Sequence, residues 1–211
     1  MFLARTFQHG WTRRSMSTST GGGFHFPSPR SLQSLVKLDD LQQETPDAIR
    51  RIWGEYHDAK SDALATVLTA AELETLIARG KKCSFFVFPV YRVNSETKEE
   101  GFFTMLSQFQ DKCFLLTTLD AYRENPAQAP PCLTVSLFDD LVPSKELALV
   151  RGDVANVLDK PEASVLLDAV LARYVDDDLF STVEAFNLKP HEFNFDAYLA
   201  ECKKKRDDSR E

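Results

Sequence analysis

Between Cys83 and Val154 the chain carries five segments built from aromatic and β-branched residues, and this stretch constrains the fold more than any other feature. Seven of the 16 phenylalanines fall between Phe85 and Phe114. In CSFFVFPVYR (83–92), strand alternation places Phe85 and Val87 on one side and Phe86, Phe88 and Val90 on the other. A strand apolar on both faces must be covered, and Pro89 marks it as an edge or bulged strand because proline has no N–H for a ladder. A polar, acidic loop (94–101) leads to FFTMLSQF (102–109), and Asp111-Lys112 separates that segment from CFLLTTL (113–119), as in a meander. Pro130-Pro131 opens CLTVSLF (132–138), where Leu133, Val135 and Leu137 alternate with Thr134 and Ser136, and LALVRGDV (147–154) is the fifth strand.

Helices precede and follow these strands. Thr45 is placed to cap the first, with Pro46 in its first turn and Asp47 at the positive end of its dipole. Ile49, Ile52, Trp53 and Tyr56 give it an apolar stripe. The stretch 62–79 reads as helical, and Thr69 and Glu72 at capping-box spacing divide it into two short helices, with Gly80 as the stop. Residues 120–128 form a short helical excursion. The C-terminal part reads as helices over 161–174, 179–188 and 195–205, with turns at 176–178 and 189–190. This order predicts an α+β fold, a mainly antiparallel sheet of about five or more strands flanked by N-terminal and C-terminal helices. Residues 45–206 are expected to form this single domain. A lead-in segment (24–44) with short apolar periodicity at Leu32, Leu35, Val36 and Leu38 precedes it, and a disordered tail (207–211) follows.

Charge is distributed unevenly. Residues 1–38 hold five basic groups and no acid, leaving 20 basic and 32 acidic groups in the rest, a net of −12. In MFLARTFQHGWTRRSMSTST, Leu3, Phe7 and Trp11 share one helical face and Arg5 and Arg13 lie opposite. Arg, Ser and Thr without Asp or Glu is the pattern of a mitochondrial presequence, and no uninterrupted apolar core supports secretion. Residues 1–23 are therefore expected to be a presequence and Gly-rich linker, with cleavage between Arg14 and Gly23. Removing them leaves a chain of net charge −10. That is a poor general binder of nucleic acid, since phosphate contacts need clustered Lys and Arg. No run approaches the roughly 18 apolar residues of a membrane span, so no stable membrane insertion is expected.

A search for catalytic groups yields no motif. None of the four histidines belongs to a paired ligand spacing, and no GxSxG elbow, phosphate-binding loop or GxGxxG turn is present. Cys83, Cys113, Cys132 and Cys202 lack CxxC spacing and read as small buried hydrophobes. Arg151-Gly152-Asp153 falls in a predicted strand, and Asp176-Asp177-Asp178 has no spaced ligand pattern and reads as a solvated turn. The basic run 203–206 suits the negative end of a last helix. No catalytic residue, metal or cofactor is expected. The alternative is an enzyme with dispersed groups, such as a carboxylate pair near His57 or Arg151.

The segments FPSPRSLQSLVKLDDL (26–41), IRRIWGEYH (49–57), FFVFPVYR (85–92), FFTMLSQFQ (102–110), PPCLTVSLFDDL (130–141) and LVRGDV (149–154) occur in this order. Together they resemble the mitochondrial ATP synthase assembly factors that chaperone the β subunit of the catalytic head. The resemblance implies a non-enzymatic matrix protein that binds the free β subunit, keeps it from aggregating and yields it to the α subunit. It transfers no catalytic residues, and the chain is expected to be monomeric. Candidate partner-binding residues, chosen on physical grounds, are Phe24 and Phe26 in the lead-in segment and Trp53, Tyr56 and His57 on the first long helix. The aromatic-rich sheet face is either a second holding surface or core, depending on whether helices cover it.

Overall fold

The computed structural model describes residues 30–93 and 96–208. Phe24, Phe26 and the expected leader and linker lie outside them. Six strands form one antiparallel sheet: β1 (Ala63–Thr69), β2 (Phe85–Val93), β3 (Glu100–Gln110), β4 (Cys113–Thr118), β5 (Leu133–Phe138) and β6 (Leu147–Val154). Their spatial order is β1-β6-β5-β4-β3-β2. The helices are α1 (Leu38–Gln43), α2 (Pro46–Asp58), α3 (Ala70–Lys82), α4 (Leu119–Glu124), α5 (Val142–Lys145), α6 (Lys160–Val175), α7 (Asp177–Leu188) and α8 (Phe195–Asp208). The α+β fold expected from the sequence is the one observed.

One strand falls where helix was expected. Residues 63–69 are β1, paired with β6 from Ala63↔Asp153 to Thr69↔Leu147. Ala and Leu favour helix locally, but pairing with β6 overrides that preference. The Thr69–Glu72 signal is real: the Thr69 hydroxyl accepts from the Glu72 N–H, and the Glu72 carboxylate accepts from the Thr69 N–H at 2.7 Å. It marks the start of α3, directly after the strand. Gly80 does not end that helix, which runs on to Lys82. It lies under the Phe109 ring, where a Cβ would come within 2.7 Å of ring carbons. Close helix–sheet approach, rather than termination, explains this glycine.

Both faces of the sheet are packed. The larger core joins Phe86, Phe88, Met105, Phe114, Leu116 and Val135 to Leu76 of α3, Leu167 and Tyr174 of α6, Phe180 of α7 and Tyr198 of α8. Phe86 lies edge-on to Phe88, Phe186 and Tyr198, with ring centroids 5.2–5.5 Å apart. Of the seven strand phenylalanines, Phe102 alone is exposed. The aromatic excess is thus core packing, and it forms no broad holding surface. On the opposite face, Leu32 and Leu41 of the lead-in segment and Ile49 and Trp53 of α2 cover Phe138, Leu147 and Leu149, with Ala65 and Val67 packed alongside. The lead-in segment is therefore part of the packed structure.

The first residues of the β2 edge are capped by side chains from the C-terminal helices. The Asn187 carboxamide accepts from the Phe85 N–H at 3.2 Å and donates to the Phe85 carbonyl at 2.6 Å. The Tyr198 hydroxyl donates to the Val87 carbonyl at 2.8 Å. Next along the strand comes Pro89, which has no N–H to satisfy. This placement accounts for a proline inside an otherwise regular strand.

Candidate interaction surface

Helix α2 holds the three described candidates, and its sequence explains how it is fixed. The Thr45 hydroxyl accepts from the Ala48 N–H at 3.3 Å, and Pro46 opens the helix. At the other end, the Lys160 ammonium donates to the carbonyls of His57, Asp58 and Lys60 at 3.2, 3.2 and 2.6 Å. A cation there meets the negative end of the dipole and satisfies carbonyls left free by the helix terminus.

Trp53 and His57 face inward, which removes them from the surface expected of partner-binding residues. Trp53 is buried, its indole N–H donating to the Val150 carbonyl at 3.0 Å and its ring edge-on to Phe138. His57 is fully buried. Its Nδ1 lies 2.7 Å from the Trp53 carbonyl and therefore carries the proton, leaving Nε2 to accept from the Arg151 guanidinium at 3.2 Å. Burial holds its pKa below the ordinary value and the Arg151 charge adds to this, while the Trp53 carbonyl opposes it. Arg151 is itself buried and donates from Nε and a terminal nitrogen to Asp153 at 2.9 and 2.6 Å. Trp53, His57, Arg151 and Asp153 thus form one network fastening α2 to β6.

That network also bears on the enzyme alternative. His57, Arg151 and Asp153 bond to one another, and two shallow concavities lie elsewhere, beside Arg92 and Phe102 and beside Arg30 and Asp140. Among the described residues no group of His, Cys, Asp and Glu could hold a metal ion, and no helix is long and apolar enough to cross a membrane. Cys83, Cys113 and Cys132 are buried free thiols, and burial pushes Cys113 up to about 12. Asp176 accepts from the N–H groups of Asp178 and Leu179 and so caps α7. Arg206, in the basic run of α8, pairs with Glu100 and Asp207.

Tyr56 stays at the surface, 43% exposed, with the Lys60 ammonium 3.6 Å from its ring centroid. The stripe it shares with Ile49 and Trp53 is otherwise covered, and the reason for its exposure is positional. Helix α2 packs along β1, the last strand of the sheet. Trp53 and His57 turn toward β6, so helical spacing puts Ile52 and Tyr56 on the flank turned away from it. Below that flank the sheet has ended. Periodicity in the sequence identified the stripe but not which of its residues would lie beyond the sheet, and β1 itself was concealed by its helix-favouring composition.

The sequence profile of the family described as ATP11 protein matches residues 13–199. Curated relatives carry the name ATP synthase mitochondrial F1 complex assembly factor 1. The Danio rerio protein is 25% identical over 179 residues, covering 83% of this chain and 57% of the relative. The Homo sapiens protein is 24% identical over the same length and the Mus musculus protein 22%, covering 52% and 53% of those relatives. The chain therefore spans a little over half the length of the relatives it matches. With the family profile running across nearly all of its described fold, the chain belongs to the ATP11 protein family.

Proposed function

We propose that this chain is a mitochondrial assembly factor that binds the unassembled β subunit of ATP synthase, keeps it from aggregating and hands it to the α subunit as the catalytic head forms. The observation that carries this reading is the family match over residues 13–199, joined to relatives whose names specify assembly of the mitochondrial F1 complex. The basic, acid-free leader supports a matrix location, and the net charge of −10 beyond it suits a protein partner better than a nucleic acid. The chain acts by binding, without catalysis or cofactor. Tyr56 is the described candidate with an accessible ring, and Phe24 and Phe26 remain candidates.

A free β subunit exposes surface that is later buried against α, so a holder must cover apolar groups and still be displaced. The test uses purified components. The chain should capture isolated β subunit, hold it in solution and release it when α subunit is added. Failure to capture β, or a complex that α cannot dissolve, rejects the proposal. In cells, depletion should leave β in insoluble aggregates while other matrix proteins stay soluble.

A further inference from the structure

Hydrogen bonding along β1 alternates between its two sides. The Asp62 carbonyl accepts from Val154, and the Ala70 N–H donates to Glu146, so even-numbered residues of β1 point their N–H and C=O groups at β6 and odd-numbered ones point them outward. The outward N–H of Thr69 is taken by Glu72, and Ala63 is buried. Ala65 and Val67 remain. Among the described residues nothing hydrogen-bonds to their outward groups, and both are half-buried rather than enclosed. Above this open stretch lies the outer flank of α2, with Ile52 half-buried and the Tyr56 ring exposed.

We propose that the outer edge of β1 is a docking site for an extended apolar segment of the client chain, added as a seventh strand under Ile52 and Tyr56. The inference rests on the reading of this protein as a holder of an unassembled subunit. A row of outward backbone donors and acceptors selects extended backbone, since a helix has none to offer. The overhanging stripe of α2 selects an apolar side chain on the facing side of that strand, which would complete the cluster of Trp53, Ala65 and Val67. A second copy of this chain fits less well. Two-fold pairing of β1 edges puts both α2 helices on one side of the joined sheet, so two sets of Ile52 and Tyr56 would compete for one strip. Four backbone groups also make a short ladder, which suits a hold that must be reversible.

The test is residue-resolved amide exchange on the purified chain, alone and with isolated ATP synthase β subunit. In the free chain the Ala65 and Val67 amides should exchange quickly, while those of Thr66 and Leu68, bonded to β6, are slow. Bound client should slow Ala65 and Val67 at least about tenfold. Val67→Pro, which removes the N–H as Pro89 does on β2, should weaken capture about tenfold, the worth of roughly one to two backbone hydrogen bonds. Thermal unfolding shows whether that variant is folded, and Tyr56→Ala, a surface change, should weaken capture with an unaltered melting temperature. Capture by the wild type with Ala65 and Val67 still fast, or undiminished in both folded variants, overturns the inference and leaves the assembly role standing. Slow Ala65 and Val67 amides in a free chain of doubled mass make the occupant a second copy and also overturn it. No capture by the wild type rejects the assembly role, and this inference with it.

Discussion

The strands β1 and β2 end the same sheet; side chains of later helices cap the outer edge of β2 at Phe85 and Val87, and among the described residues none caps β1 at Ala65 and Val67. Along β2, Asn187 occupies both polar groups of Phe85, Tyr198 occupies the Val87 carbonyl, and Pro89 lacks a donor. These residues come from two helices about 100 positions later in the chain, so the closure is a tertiary feature. Along β1 the neighbouring helix α2 covers one face, and among the described residues nothing bonds to the outward groups of Ala65 and Val67. Unpaired edges recruit other strands, and proteins ordinarily block them. Among the described residues, one end of the sheet is thus partly capped by later helices and the other is not.

The comparison can be broken most severely at the roof over β1. Trp53→Ala removes a buried ring and its bond to Val150, and should cost about 3–5 kcal/mol in urea unfolding. A loss below about 1 kcal/mol would mean that α2 is not fastened as described. Next in size, Asn187→Ala reopens β2 at Phe85 and should cost about 1–3 kcal/mol. It should also raise light scattering on heating, because the capped stretch of β2 then behaves like an unprotected edge. Unchanged scattering would argue that Asn187 contributes only stability.

A smaller effect is set by pH. Because the His57 pKa lies below its ordinary value, the unfolded chain binds the extra proton first as pH falls. The contribution is complete above about pH 6.5 and is lost as pH drops below that value toward the folded-state pKa. Urea midpoints should therefore fall between pH 7.5 and 5.5, and His57→Gln should flatten that slope. The smallest stability change belongs to Tyr56→Ala, expected within about 0.5 kcal/mol of wild type because the ring lies beyond the sheet. A cost near that of Trp53→Ala would place Tyr56 in the core and remove the contrast.

Much of the fold was legible because β2 to β6 announce themselves with Phe, Val and Leu between Gly, Pro and Asp breaks. Two caps were legible as well: Thr45 and Thr69 each cap a helix through a side-chain bond, whereas Asp176, read as part of a solvated turn, also caps one. The strand ALATVLT was not, since its composition is helix-compatible and its pairing partner lies some 80 residues away. Gly80 was misread for a related reason, because the Phe109 ring that requires it comes from another element. In the candidate surface, the spacing of Trp53, Tyr56 and His57 placed all three on one helix, as observed. It could not separate the two that turn toward β6 from the one beyond β1, since that depends on where the sheet ends.

The strand order also governs when each edge comes into being. β2 to β6 form a run of neighbours joined by short connections, each able to pair soon after its predecessor. β1 precedes them all in sequence but pairs only with β6, so its ladder closes a loop from Thr69 to Leu147 at minimum, a long-range closure with a high entropic cost. Substitutions in β1 are therefore expected to speed unfolding and leave the folding rate nearly unchanged, with φ-values close to zero. As the chain is synthesised from its amino terminus, β1 and α2 must wait for β6 to follow. Helix α2 and the strand edge beneath it are then the parts of the described fold whose assembly waits for a strand that ends at Val154.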